Sequence, residues 1–280
     1  MNSKRKFKEL TIRDNFMFAA VMMQKDNCKQ FLEMLLGIKI ERIVISYEKT
    51  LIYNPNYKGI RMDVYAKDEK NTRYDIEMQI ANKELGKRTR YYHSQMDMDI
   101  LASGHDYKRL PSAYVIFICN FDPFGKEKYC YSFENRCMQD FSLSMGDESR
   151  SIFLSTVGKD SENIPAELKA FLDFVKTDTS ENNTKTDDAY VKGLQQSIRS
   201  VKESKEMERS FMTLEELQEW AKIELSREYV LELLESLGMI SEALEKRIMS
   251  EEELEVLKVM VKAAAKAESL QQFEELISEL

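Results

Sequence analysis

From Asp14 to Leu36 apolar residues recur at helical spacing, with a break expected near Asp26-Asn27 and Gly37 as the C-terminal stop. That predicts a helix pair. The pattern then changes: ERIVISYEKTLIY (41–53) is rich in Ile, Val and Tyr and stops at Asn54-Pro55, as a strand does. Residues 60–65 and 73–80 alternate apolar and polar positions around the polar turn Asp68-Glu69-Lys70-Asn71, which predicts a hairpin. Residues 84–103 contain no Pro, mix polar and apolar positions as a helix does, and end before Gly104. SAYVIFICNF (112–121), a near-continuous apolar run between Pro111 and Pro123, predicts a strand buried on both faces. Two further strands are expected at 128–133 and 151–157, and a helix at 165–175 opened by Pro165. This order predicts an α/β fold with a mixed central sheet flanked by helices.

The remainder reads differently. TDTSENNTKTDD (177–188) holds no apolar residue and is the natural linker. Beyond Pro165 there is no further proline, and the only glycines are Gly193 and Gly238, so three or four helices are expected. The expected division is a domain at 1–176, a polar linker at 177–188 and an all-helical C-terminal extension at 189–280. A fragment ending near Asp178 is expected to fold alone.

Composition narrows the chemistry. The 280 residues are 43% hydrophobic and 32% charged, which supplies a packed core and rules out a disordered chain. The 9 glycines are scattered, which removes glycine-rich dinucleotide folds and the phosphate-binding loop. With only His93 and His105, paired-histidine zinc sites are excluded, and neither histidine has a second ligand near it, so each is expected at the surface or at a cap. The cysteines Cys28, Cys119, Cys130 and Cys137 form no C-x-x-C pair and read as ordinary thiols of a reducing, cytoplasmic setting. The basic N-terminus has no apolar run behind it, and no stretch is long enough for a membrane span. Trp220 and the Met-rich segments 17–23 and 96–98 are expected in packing.

The net charge of −8 conceals an asymmetry. Residues 1–150 carry 25 Lys+Arg against 21 Asp+Glu, whereas residues 151–280 carry 16 against 28. Any surface for a polyanion belongs in the first half.

Strand alternation sorts the hairpin side chains. Ile60, Met62 and Val64 share one face and Arg61, Asp63 and Tyr65 the other; Asp75, Glu77 and Gln79 share the polar face of the second strand. A turn centred near residue 70 makes Asp63 and Glu77 cross-strand partners with Cβ atoms ~4.5–5.5 Å apart. Two carboxylates so placed repel unless a cation lies between them, and magnesium binds one or two carboxylates with waters and phosphate oxygens. A solvated polar face that tolerates opposed acids is the alternative.

Asp14-Asn15-Phe16-Met17-Phe18, Arg61-Met62-Asp63-Val64, Asp75-Ile76-Glu77-Met78-Gln79, Arg88-x-Arg90-Tyr91-Tyr92 and Gly104-x-x-Tyr107-x-x-Leu110 occur in this order. Over roughly residues 10–175 the chain resembles the PD-(D/E)XK nuclease family transposases, also called recombination-promoting nucleases. The resemblance implies a restriction-endonuclease-like core, metal-dependent DNA cleavage with magnesium (or manganese), and a role in DNA recombination or transposition. It implies that Asp63 and Glu77 are the metal-binding acids. Gln79 stands where the name-giving lysine of the wider superfamily usually lies. An amide there can only hydrogen-bond water or a phosphoryl oxygen, so more of the work falls to the metal. Asp14 matches an acid of the first helix; a third metal ligand and an N-cap are both open to it.

Lys83, Lys87, Arg88 and Arg90 are the densest basic stretch near the acids, and Arg88 and Tyr92 share a helix face at i and i+4. They are candidate DNA-backbone contacts, with a solvated amphipathic helix as the alternative. Asp75 extends no motif and is expected to be structural. The reading is a DNA endonuclease with DNA as partner, no membrane, and homo-oligomerisation through the helical tail. Its rivals are an inactive mobile-element remnant that binds DNA or protein, and a helical interaction protein.

Overall fold

The computed structural model describes residues 6–51, 59–81, 84–177 and 186–277, so Lys83 and most of the expected linker lie outside the described residues. The first compact unit runs from Met1 to Lys205 and the second from Glu206 to Leu280.

In the first unit, helices α1 (Asn15–Met22) and α2 (Lys25–Leu36) precede strands β1 (Ile43–Leu51), β2 (Ile60–Asp68) and β3 (Arg73–Gln79). Then come α3 (Leu85–Ile100), β4 (Ala113–Cys119), β5 (Cys130–Phe133), β6 (Ser149–Ser155), α4 (Ala166–Thr177) and α5 (Ala189–Glu203). The six strands form one sheet in the order β1-β2-β3-β4-β6-β5. The β3–β4 and β4–β6 pairs are parallel and the others antiparallel, so the sheet is mixed, with α3 as the crossover from β3 to β4. A parallel centre needs cover on both faces, and the unbroken burial of Val115 to Cys119 shows that it has it.

Helix α1 is buried from Phe16 to Met22, apolar all round, and lies against β1, β2 and β3. The break between α1 and α2 falls at Met23-Gln24, slightly earlier than the sequence suggested, while Gly37 does close α2 in the left-handed conformation at φ 65°. Helix α3 covers the opposite face, where Leu85, Tyr92 and Met96 join Tyr65, Val115, Phe117 and Phe153 in one core cluster. The hairpin face expected in solvent is therefore roofed by a helix.

Helix α5, grouped with the tail on sequence, packs on α1, α2 and α4. Tyr190, Val191, Leu194, Ile198 and Val201 make its buried stripe. The Tyr190 hydroxyl donates to the Asn27 carbonyl at 3.0 Å, and Asn27 Nδ2 donates to Ser197 Oγ at 2.9 Å. After it follow α6 (Lys205–Glu235), α7 (Glu242–Met249), α8 (Leu254–Ala264) and α9 (Leu270–Leu276), giving five helices beyond residue 188 among the described residues where three or four were expected. Serine caps explain the extra break: Ser241 and Ser269 accept from the N–H groups of Leu244 and Gln272, starting helices without any glycine or proline signal. The second unit closes on an apolar cluster including Val230, Leu234, Ile248, Leu257 and Phe273. Trp220, expected in packing, is 63% exposed, and Met98 is 51% exposed. Among the described residues no helix is long and apolar enough to cross a membrane.

Candidate active site

The β2–β3 turn sets the geometry. Asp68 Oδ1 accepts the N–H groups of Lys70 and Thr72 at 2.9 and 2.8 Å, and its Oδ2 accepts the Tyr74 hydroxyl at 2.8 Å. Asn71 takes the left-handed conformation at φ 70° that the turn requires. The ladder then pairs Lys67 with Arg73, Ala66 with Tyr74, Tyr65 with Asp75 and Val64 with Ile76, the register expected from a turn near residue 70. One step further, side chains replace the ladder. Glu77 Oε1 accepts the Asp63 N–H at 2.9 Å, and Asp63 Oδ2 accepts the Met78 N–H at 3.2 Å. Each acid is thus oriented by the other strand's backbone, with Asp63 5% and Glu77 2% exposed.

Helix α3 brings the counter-charge. Arg88 donates from Nη2 to Glu77 Oε2 at 2.5 Å and from Nη1 to Gln79 Oε1 at 2.5 Å. Its Nε and Nη2 also donate to the Tyr92 hydroxyl one turn on, at 2.9 and 2.6 Å. The guanidinium carbon lies 4.9 Å from the Tyr92 ring centre and 5.3 Å from that of Phe117. Gln79 Nε2 donates to the Ala81 carbonyl at 2.7 Å, which turns its Oε1 toward Arg88. Arg88 and Tyr92, candidates for a DNA-facing surface, turn inward, whereas Lys87 and Arg90 are exposed on the same helix and Lys87 pairs with Glu84 at 3.0 Å.

Charge is crowded here. Burial first, then the Asp63 carboxylate, push the Glu77 carboxyl up to about 8, against the pull of Arg88. Asp75, expected to be structural, is fully buried two residues earlier on the same face, and no N–H or hydroxyl donor among the described residues reaches its oxygens. Burial, then Glu77 and Asp63, hold its carboxyl well above the usual range. Its signal in the sequence was the two-residue spacing to Glu77, which places both on one strand face.

The first helix contributes through an unexpected residue. Asp14 Oδ2 accepts the Thr11 N–H at 2.7 Å and the Thr11 hydroxyl at 3.2 Å, while its neighbour Asn15 donates from Nδ2 to Asp63 Oδ1 at 3.3 Å. On α3, His93 is part-buried between the hydroxyls of Ser149 and Ser151, at 3.2 Å from each, and ties α3 to β6 rather than lying at the surface. Burial pushes its imidazole down to about 4. His105 is exposed.

The donor set suits a hard dication. Among the described residues no group of three or more Asp, Glu, His or Cys is arranged to hold an ion. Asp63 and Glu77 nevertheless supply two adjacent carboxylates whose mutual repulsion a cation would relieve, and magnesium habitually takes one or two protein carboxylates with waters and substrate oxygens.

No curated protein matches the chain, and no solved structure matches it either. A family model does, over residues 15–221, which takes in the hairpin acids, α3, the whole sheet and α5. With the matched span covering most of the chain and the mixed sheet holding its acids at the β2–β3 step, the chain belongs to the PD-(D/E)XK nuclease family transposases.

Proposed function

We propose that the chain is a metal-dependent DNA endonuclease that hydrolyses phosphodiester bonds in DNA recombination or transposition. The observation that carries this reading is the Asp63–Glu77 pair, two nearly buried carboxylates held in place by each other's strand. Burying like charges together is unfavourable, and a structural role would be filled better by apolar side chains of similar size. Family membership supports the same chemistry.

In this reading Asp63 and Glu77 hold magnesium or manganese, which would lower the pKa of a bound water and offset charge on the phosphate. Asn15 fixes the Asp63 carboxylate through its amide, and Asp75 adjoins Glu77 on the same strand. Lys87 and Arg90, exposed on α3, contact backbone phosphates without reading bases. Asp14 serves the start of α1 through Thr11.

The test is incubation of purified protein with supercoiled plasmid, with magnesium, with manganese and with chelator. Nicked or linear product with either ion and none with chelator is expected. Intact supercoiled, linear and single-stranded DNA under every divalent ion tried would sink the reading.

A further inference from the structure

Resting on the nuclease reading, we infer that Arg88 is the catalytic cation of the site, that it binds the phosphate being cleaved, and that Gln79 is the positioning residue that aims it. The amide of Gln79 has both ends committed: Nε2 to the Ala81 carbonyl at 2.7 Å and Oε1 to Arg88 at 2.5 Å. A group so engaged holds the guanidinium rather than a water. Arg88 has the second half of the qualification, because it reaches Glu77 Oε2 at 2.5 Å while its side chain remains 30% exposed. It is therefore both inside the acid cluster and open to a ligand.

The guanidinium is built for an oxyanion. Nε and both Nη2 hydrogens are used on Tyr92 and Glu77, and one Nη1 hydrogen on Gln79, which leaves an Nη1 N–H with no acceptor among the described residues. The Tyr92 and Phe117 rings fix the plane of the fork. An arginine cannot give up its proton at working pH, and its fork matches phosphate oxygens two at a time. With the Glu77 carboxylate engaged by a dication, the Nη2 donor would be available beside the free Nη1 donor, and both could turn to one phosphate. A lysine at position 79 would set a second cation against this one, whereas the glutamine oxygen accepts from it.

The experiment relocates the charge in the full-length protein. Arg88→Met, Arg88→Lys, and Arg88→Met combined with Gln79→Lys are compared for plasmid cleavage with magnesium and for binding of a fluorescent duplex in calcium, each variant first checked for native melting and circular dichroism. Arg88→Met is expected to lose about 10²- to 10³-fold in cleavage rate, the usual effect of removing one donor to a developing oxyanion. It should also bind the duplex more weakly in calcium. Arg88→Lys should fall between, because it keeps charge and loses the fork. The double variant should regain at least about tenfold of the lost rate, since it returns a cation to the same place. A structural role for Arg88 would not be rescued by moving the charge from α3 to β3. An Arg88→Met protein that cleaves and binds like the parent, or a folded double variant no better than Arg88→Met, would overturn the inference. If the parent cleaves no DNA at all, the nuclease reading fails separately, and the calcium binding series still decides whether Arg88 holds phosphate. Should Arg88→Met not fold, Gln79→Leu gives the second route: it frees Arg88 from its guide and should lower the cleavage rate with the duplex affinity in calcium unchanged, and an unchanged rate overturns the inference.

Discussion

Every buried polar or charged side chain among the described residues, from Thr11 to Ser197, lies in the first unit, while the second closes on a core such as Leu257 against Phe273 with no polar member. The two units also differ in how their helices pack. Helix α1 is enclosed on all sides, whereas α6 leaves Trp220, Leu225 and Tyr229 more than half exposed. An apolar core carries no desolvation penalty, and its stability follows the area it buries. A buried carboxylate opposes folding unless donors surround it: the β2–β3 backbone, Asn15 of α1 and Arg88 of α3 supply donors to Asp63 and Glu77, whereas Asp75, which no such donor reaches among the described residues, adds to the cost. The packing of the first unit therefore has to offset an unfavourable cluster, and among the described residues no buried polar side chain makes the same demand of the second.

The sharpest way to break this comparison is at the acids. Asp63→Asn and Glu77→Gln keep the packing and remove one of the opposed charges, so each should lower metal-dependent cleavage by about 10³-fold or more. Neither should lower the thermal midpoint measured in chelator. A lowered midpoint would mean that the acids stabilise the fold, and the contrast between the units would lose its basis.

Truncation tests where the first unit ends. Removing α5 exposes partners of Tyr190, Val191, Leu194, Ile198 and Val201, each of which contributes roughly 1.5–3 kcal/mol by burial. That total rivals the ~5–15 kcal/mol stability of a whole domain. A fragment ending at Asp178 is therefore expected to aggregate or remain unfolded, and one ending at Lys205 to give a cooperative transition in circular dichroism. A cooperative melt for the shorter fragment would return α5 to the tail.

Cavities should act locally. Phe273→Ala in the second unit is expected to cost about 3–5 kcal/mol there, seen as an earlier calorimetric transition, with plasmid cleavage within twofold of the parent. A comparable loss of cleavage would show that the second unit supports the site.

The smallest effect expected is on pH. Both histidines lie in the first unit, and His93 has its folded value lowered from 6.5 to about 4. A histidine with a depressed folded value contributes its full stability above pH 6.5, and loses it as pH falls toward 4, because the unfolded chain takes up the proton first. Melting at pH 7.5 and pH 5 should therefore differ more for the parent than for His93→Asn, by up to ~1–2 kcal/mol after screening. Equal differences would leave His93 without a role in acid sensitivity.

Local physics made much of this legible in the chain itself. Period-two alternation and the Asp68-to-Asn71 turn suffice to set the ladder as far as Val64 and Ile76, since side-chain direction in a strand alternates and a tight turn sets the register, but the contact of Asp63 with Glu77 is made beyond the ladder, through side chains. The same rules marked the buried β4 run, the helix pair and the glycine stop at Gly37. What they could not supply was the partner of each face. Whether a polar strand face meets water or a helix depends on the β3–α3–β4 crossover, and that crossover turned Arg88 and Tyr92 from surface candidates into the walls of the acid cluster. Contacts distant in sequence decided the rest: Asn15 reaches Asp63 across 48 positions, and α5 joins the core through Asn27 and Ser197. A strand pattern states only that a side chain needs a neighbour, and the identity of that neighbour is settled when the chain closes.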